Sequence, residues 1–343
     1  MSQFDIDLEH LAGYLTEHIE SFKGPITLEK FSGGQSNPTY KLNASSGTYV
    51  LRRQPPGKLL KSAHAVDREY RIMNALQQSD VPVPKVLHLC EDSEVIGSKF
   101  FVMEFLDGNI YWSAALTEID SNATRSRMYD QMNQTLVSLH QVDIDAVGLG
   151  DYGRKGDYFE RQLATWTKQY RASEIDVIDE MEHLMTWLDA HQPADDGRVS
   201  LVHGDYRLDN LMFDSTNMSI IAVLDWELST IGHPFADLAY QCMQLRMGQG
   251  NGSIEGLAGI DRKAIGIPTE SEYVALYCER MGIDRIDNWA FYLAFSFFRL
   301  AAICQGVAKR AQQGNASNAK AAQAGAWVAP LAGLALQIIH QES

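Results

Sequence analysis

The sequence predicts an α+β protein in two lobes, a small β-rich lobe over residues 1–106 and a larger, mostly helical lobe over 107–343. Three observations predict it. The chain has 343 residues, more than one hydrophobic core usually organises. Runs rich in β-branched and aromatic residues, separated by glycine and asparagine turns, crowd into the first hundred positions. Beyond Asp107-Gly108 the apolar residues recur mainly at helical spacing.

Taken in order, residues 5–20 set Ile6, Leu8, Leu11, Leu15 and Ile19 on one helical face. ITLEKFSGG and QSNPTYKLNASSGTYVLRRQP read as strands around a glycine turn. Within the second run, Asn43-Ala44-Ser45-Ser46-Gly47 turns the chain between TYKL and TYVLR. Residues 62–79 read as a helix opened by Ser62. The prolines of VPVPKVLHLCED set an extended path, and SKFFVMEFL is a further strand. In the second lobe Met128, Met132, Leu136 and Leu139 share a helix face, and two more helices are expected within 157–190. The short strands VSLVHGD, NLMFD and SIIAVLDWE interrupt that pattern at 200–226. From 235 onward the pattern is helical again, broken by the glycine-rich stretch at 248–259.

Composition narrows the function classes. Hydrophobic residues make up 45% and charged residues 21%, as in an ordinary globular protein. FYLAFSFF, the most apolar run, ends at Arg299 and reads as a buried helix rather than a membrane span. The acidic N-terminus lacks the pattern of a secretory signal. Cys90, Cys242, Cys278 and Cys304 form no CxxC pair and no disulfide framework, which fits a cytoplasmic protein. A net charge of −15 argues against non-specific binding to nucleic acid or an anionic membrane, so neither is an expected partner. A nucleotide bound through local groups and a metal stays compatible with that charge.

The chemistry is concentrated in LVHGDYRLDNLMFD at 201–214 and IIAVLDWELSTIGHPFADLAY at 220–240. Asp205, Asn210 and Asp225 stand in the order that phosphoryl transfer needs: a carboxylate at the attacking hydroxyl, then an amide and a second carboxylate as hard oxygen ligands for a metal. An Asp and Asn cluster that merely caps turns is the competing reading. Flanking strands and a second aspartate in sequence order favour chemistry. His203, at the end of the strand VSLV, is expected to brace the loop rather than react. Phe31-Ser32-Gly33-Gly34-Gln35-Ser36-Asn37 joins two strands, and its glycines would let backbone N–H groups approach phosphates. It is not a Walker A loop, because no GxxxxGK[ST] occurs. On YVLRR, strand alternation sends Arg52 and Arg53 to opposite faces, so only one of them can face the nucleotide.

HGDYRLDNLMF with VLDWE resembles the aminoglycoside phosphotransferase and choline kinase branch of the kinase-like phosphotransferases. FSGGQSNPTY, YVLRRQPPG, SAHAVDREYRIM, VPVPKVLHLCED, VIGSKFFVMEFLDG and FYLAFSFFRLAAICQGV extend the resemblance over almost the whole chain. Together they are similar to the kinase-like domain fused to certain acyl-CoA dehydrogenases and to its stand-alone bacterial relatives. The resemblance implies a protein-kinase-like two-lobed fold, Mg2+, ATP or GTP as co-substrate, and transfer of the γ-phosphoryl group to a hydroxyl of a small molecule. It implies Asp205 as the catalytic carboxylate, with Asn210 and Asp225 on the metal. Gly33, Gly34, Ser36 and Asn37 would cover the nucleotide phosphates. Arg52 stands where family kinases often have lysine, and Glu69 would orient it. Met103-Glu104-Phe105-Leu106 resembles the hinge, with Glu104 and Phe105 at the purine. Asp237, which could also cap the helix DLAYQCMQL, is implied to support the catalytic loop. Asp225-Trp226-Glu227 stands in place of the protein-kinase DFG, so only the aspartate's role carries over.

The acceptor site is expected from the helices at 157–190, the segment at 248–259 and the helix near 291–309. Arg299 lies in an apolar run and must find a partner, a structural carboxylate in the first instance or else an anionic group of the substrate. The resemblance points to hydroxylated acyl chains, hydroxyacyl-CoAs or related hydroxy acids. The alternatives are an aminoglycoside-type or other small-alcohol kinase, and a nucleotide-binding pseudokinase. A protein kinase is disfavoured by the short turn between Trp226 and the helix at 235.

Overall fold

The computed structural model describes residues 6–31, 37–55, 65–248, 255–313 and 319–342. In chain order its first elements are α1 (Leu8–His18), β1 (Ile26–Lys30), β2 (Thr39–Ala44), β3 (Gly47–Arg53), α2 (Val66–Leu76), β4 (Val86–Cys90), β5 (Phe100–Glu104) and β6 (Asn109–Ile110). Then come α3 (Asn122–His140), α4 (Tyr158–Ser173), α5 (Asp179–Ala190), β7 (Ser200–Val202), β8 (Leu211–Phe213), β9 (Ile220–Val223) and β10 (Thr230–Gly232). The last are α6 (Phe235–Leu245), α7 (Glu270–Met281), α8 (Trp289–Gln312) and α9 (Val328–Glu342). The chain divides into two units: Met1–Ile110 with Asp145–Leu149 and Asn210–Leu228, and Tyr111–Ile144 with Gly150–Asp209 and Ser229–Ser343. This is a protein-kinase-like fold, with a small antiparallel sheet in one unit and a larger helical body in the other.

In the first unit β1 to β5 form an antiparallel sheet in the order β1-β2-β3-β5-β4. Every pair is antiparallel; β2 and β3 form a hairpin closed at Ser45-Ser46, whereas the long connection through α2 carries β4 past β3 to the edge, so that β5 returns between them. Phe100, Phe101, Val102 and Met103 are all buried, so β5 is covered on both faces. Helix α1 begins where the Asp7 carboxylate accepts the amides of Glu9 and His10 at 3.0 Å, and it buries Leu11 and Leu15. Helix α2 presents Val66, Glu69, Ile72, Met73 and Leu76 inward, a carboxylate among apolar residues. Its expected serine cap is not the start seen. The helix begins at Val66 with no side-chain cap, and Ser62 lies outside the described residues.

A second sheet, β6-β8-β9, belongs to the same unit. The lobe boundary read at residue 106 therefore falls short of the break, because Asn109 and Ile110 pair with Phe213 and Met212. Gly108 permits this approach, since a Cβ there would meet Phe213 O at 2.8 Å and Met212 Cγ at 2.7 Å. Segment 210–228 is also part of this unit, although it follows a hundred residues of the other.

In the second unit α8 is the central helix, packed by α4, α6 and α9. By length and composition alone it could cross a membrane, yet 78% of its most apolar stretch is buried inside the protein. Thr269 and Glu272 form a reciprocal capping box at the start of α7. Strands β7 and β10 pair antiparallel, and β10 adds an element the sequence pattern had not shown. Residues 249–254 of the glycine-rich stretch lie outside the described residues.

Candidate active site

Strand alternation sorts the two arginines of β3. Arg53 turns into the unit, 4% exposed, and its Nε donates to Ser98 Oγ at 3.0 Å. Arg52 faces the other way and bridges two carboxylates. Its Nε lies 2.8 Å from Glu69 Oε2, an ion pair whose angle makes no hydrogen bond, and its Nη2 donates to Asp225 Oδ1 at 2.8 Å. The β2–β3 register sets Thr39 opposite Arg52, and Thr39 Oγ1 accepts from Nη1 at 3.2 Å. Glu69 is 2% exposed, and its Oε1 accepts from Asn37 Nδ2 at 2.6 Å. Asn37 is itself fully buried. Its side chain supports Glu69. Burial pushes the Glu69 carboxyl up to about 7, with Asp225 adding to the rise and the Arg52 charge opposing it. Burial alone would lower the Arg52 pKa, but the two carboxylates outweigh it and hold the guanidinium charged.

Asn210 and Asp225 meet through the backbone, because Leu224 N donates to Asn210 O at 2.8 Å where β9 runs beside β8. Asp225 itself has φ of 62°, a left-handed conformation unusual outside glycine. Among the described residues no cluster of three or more His, Cys, Asp and Glu forms a metal cage. A pair of hard oxygens from Asn210 and Asp225 suits Mg2+, which keeps several waters and completes its octahedron with substrate phosphates. The donor set therefore fits the implied metal, with one Asp225 oxygen held by Arg52. Gly33, Gly34 and Ser36 lie outside the described residues. At the end of β5, Glu104 N donates to Lys85 O at 2.9 Å, and Glu104 Oε1 accepts from Lys85 N at 2.7 Å. The Glu104 amide is thus engaged by the chain leading into β4. The Phe105 ring carries the Lys41 ammonium 4.5 Å from its centroid.

The second unit holds the loop at 203–209 that the sequence singles out for catalysis. Strand β7 ends at Val202, and Gly204, with φ of 83°, turns the chain in a conformation that favours glycine. Asp237 anchors the turn: its carboxylate accepts from His203 N at 2.6 Å and Gly204 N at 2.8 Å. His203 Nδ1 in turn accepts the Asp205 amide at 3.2 Å. Asp237 is 1% exposed, and His140 Nε2 lies 3.5 Å from it. Burial alone would raise its pKa, but His140 and the loop's amides hold it below the usual carboxylate range. Asp237 sits inside the first turn of α6, whose cap position is Pro234, so the capping alternative is replaced by these loop contacts.

Three neighbours of Asp205 were not singled out from sequence. Arg207 Nε lies 3.7 Å from Asp205 Oδ1, and the same guanidinium grips Asp209 with both arms, Nε donating at 2.8 Å. Burial pushes the Asp209 carboxyl up while Arg207 pulls it back. Tyr240, buried on α6, stays protonated through burial first and then through the nearby Asp205 carboxylate. Arginine two residues after Asp205 was visible in HGDYRLDN; nothing in the sequence marked Tyr240. Arg299, expected beside a structural carboxylate, has none among the described residues. Its Cζ lies 5.2 Å from the Tyr240 ring centroid and 5.5 Å from that of Trp166.

Comparison with known proteins returned three informative similarities. The model of the "Phosphotransferase enzyme family" matches residues 27–268. The mouse acyl-CoA dehydrogenase family member 10 is 48% identical over 97% of this chain, and the chain spans 31% of that relative's length. Among solved structures, a "putative aminoglycoside phosphotransferase" from Ralstonia eutropha is 47% identical, with a TM-score of 0.89 over 98% of both chains.

Proposed function

The chain belongs to the phosphotransferase enzyme family, and from that premise we propose that it is a magnesium-dependent kinase acting on a hydroxyl of a small molecule. Its donor is ATP or GTP, and its acceptor class is a hydroxyacyl-CoA or related hydroxy acid. The observation that carries the reading is the buried Arg52 bridged to Glu69 and Asp225. A cation oriented by a buried carboxylate and joined to a metal-binding one is the nucleotide half of a phosphoryl-transfer site.

In this reading Arg52 binds the α- and β-phosphates, held in place by Glu69 and, behind it, Asn37. Glu104 and Phe105, at the end of β5 and just past it, take the purine contacts through their backbone, and Gly33, Gly34 and Ser36 cover the phosphates. Asn210 and Asp225 hold Mg2+, which when bound neutralises charge on the nucleotide phosphates. Asp205 orients the acceptor hydroxyl and takes its proton as the oxygen attacks the γ-phosphorus and the bond to the β-phosphate oxygen breaks. Asp237 and His203 keep the Asp205 loop in its turn. The acyl class rests on the similarity to the family member 10 dehydrogenase, of which this chain matches only a part.

The test is a screen of hydroxyl-bearing metabolites, hydroxy acids and hydroxyacyl-CoAs for ATP or GTP consumption with Mg2+ present. Asp205→Asn serves as the paired control. The expected result is acceptor-dependent turnover that falls by about 100-fold or more in the variant while nucleotide binding persists. Undiminished turnover by Asp205→Asn overturns the assignment.

A further inference from the structure

Arg299 sits in α8 directly after the apolar run FYLAFSFF and is 8% exposed. A guanidinium stays protonated in any protein environment, so this charge is buried as a charge. Proteins usually bury such a group only against a carboxylate. Here the described residues offer it neither an ion pair nor a hydrogen bond. Two aromatic faces take that place, Tyr240 on α6 and Trp166 on α4, with ring centroids 5.2 and 5.5 Å from Cζ. Desolvated cation–π contacts of this kind offset part of the burial cost but use none of the five N–H donors. No hydrogen-bond partner takes these donors among the described residues, and Trp166 is itself only half-buried.

The position of this cation matters as much as its lack of a partner. Tyr240 touches Arg299 on its ring and borders the Asp205 carboxylate at its hydroxyl end. Arg299 is therefore one tyrosine away from the carboxylate that the proposed reaction places at the acceptor hydroxyl. Arg207 lies on Asp205 as well, but Asp209 neutralises it. Arg299 has no such counter-ion.

We propose that Arg299 is the anion anchor of the acceptor site, so that the acceptor carries a negatively charged group, a carboxylate or a phosphate, held bidentately by Arg299 while its hydroxyl faces Asp205. This deepens the kinase reading and rests on it. It assigns specificity: an anion supplies the missing counter-charge, whereas a polyammonium acceptor such as an aminoglycoside is repelled. Arg299 acts on binding, so its loss falls on acceptor affinity and leaves the nucleotide half alone.

The experiment is titration calorimetry on the full chain with Mg2+ and a non-hydrolysable ATP analogue present. The probes are hydroxy acids of four to six carbons, their CoA thioesters, and the neutral amides of the same acids. The wild type is expected to bind an anionic probe about 10- to 100-fold more tightly than the matching amide, as a charge-assisted bidentate contact implies. Arg299→Met should abolish that preference, and Arg299→Lys should restore part of it, with nucleotide affinity and thermal midpoint of the lysine variant near wild type. Loss confined to the free acids identifies a carboxylate, and loss confined to the thioesters identifies a phosphate of the CoA moiety; both support the anchor. Equal binding of acids, thioesters and amides by the wild type, no binding of any probe, or unchanged anion preference in Arg299→Met overturns it. Failure of the kinase reading shows separately, as anions that bind through Arg299 but are not phosphorylated.

Discussion

Replacing Arg52 with methionine should destabilise the protein by an amount that grows with pH. The substitution keeps an unbranched apolar stem and removes the cation from Glu69, whose side chain is 2% exposed. A buried charge stripped of its partner costs about 3–5 kcal/mol if it stays ionised. Glu69 has an escape, because its carboxyl already stands near 7 in the folded protein, raised from 4.5 by burial. A carboxyl whose folded pKa is raised contributes stability that is complete below the unfolded pKa and lost as pH rises to the folded one. In the wild type that loss runs from about pH 4.5 to 7 and then stops. Without Arg52 the folded pKa climbs further, so the variant goes on losing about 1.4 kcal/mol for each pH unit above 7. At pH 6 both proteins hold Glu69 largely protonated, and the variant is weaker by about 1–2 kcal/mol through the lost Thr39 and Asp225 contacts. At pH 8 the gap should widen to roughly 3 kcal/mol. Urea unfolding of the free protein at pH 6, 7 and 8 measures it. Adding Glu69→Gln, which keeps an acceptor for Asn37, should remove the pH-dependent part and recover about 1 kcal/mol at pH 8. A gap that is the same at pH 6 and 8, or a double variant weaker than the single one at pH 8, would refute the account.

The remaining expectations concern the site's other groups. Asp225→Asn and Asn210→Ala should each raise the Mg2+ concentration needed for half-maximal turnover by tenfold or so, with Asp225→Asn the more severe because it removes a charge as well as a ligand. A magnesium titration with unchanged midpoints would sink their assignment to the metal. Asp237→Asn should cost about 2–4 kcal/mol, since His203 N and Gly204 N donate to different carboxylate oxygens and the substitution turns one of them into a donating NH2. The Asp237 carboxyl is held below its ordinary range, so its stabilisation is present above the unfolded pKa and lost as pH falls through the folded one. The wild type's advantage over Asp237→Asn should therefore shrink below about pH 4, as acid unfolding curves would reveal. Arg207→Leu should lower kcat and alter its pH profile by leaving the Asp205 and Asp209 carboxylates to repel one another, and an unaltered profile would count against that coupling.

Local signals told much about the site. Alternation in YVLRR separated Arg52 from Arg53, because successive strand residues face opposite sides whatever the fold around them. HGDYRLDN carried the loop, its glycine turn and the arginine next to Asp205 in one short stretch. What local signals could not supply were partners distant in sequence. The Asn37 side chain donates to Glu69, 32 positions away. The Glu104 amide donates to Lys85 O. Asp237, expected to support the loop, does so through amides 33 and 34 positions earlier.

Sequence alone was enough for the α+β class and the kinase-like fold, since periodicity, turn chemistry and motif spacing are properties of neighbouring residues. Tertiary structure decided which unit claims residues 210–228, that Arg52 joins Asp225 as well as Glu69, and that Arg299 lies beside two aromatic rings instead of a carboxylate. The physical reason is common to all three. Burial makes a charge or an unpaired donor expensive, and the partner that offsets the cost can come from any element that packs there, however far along the chain.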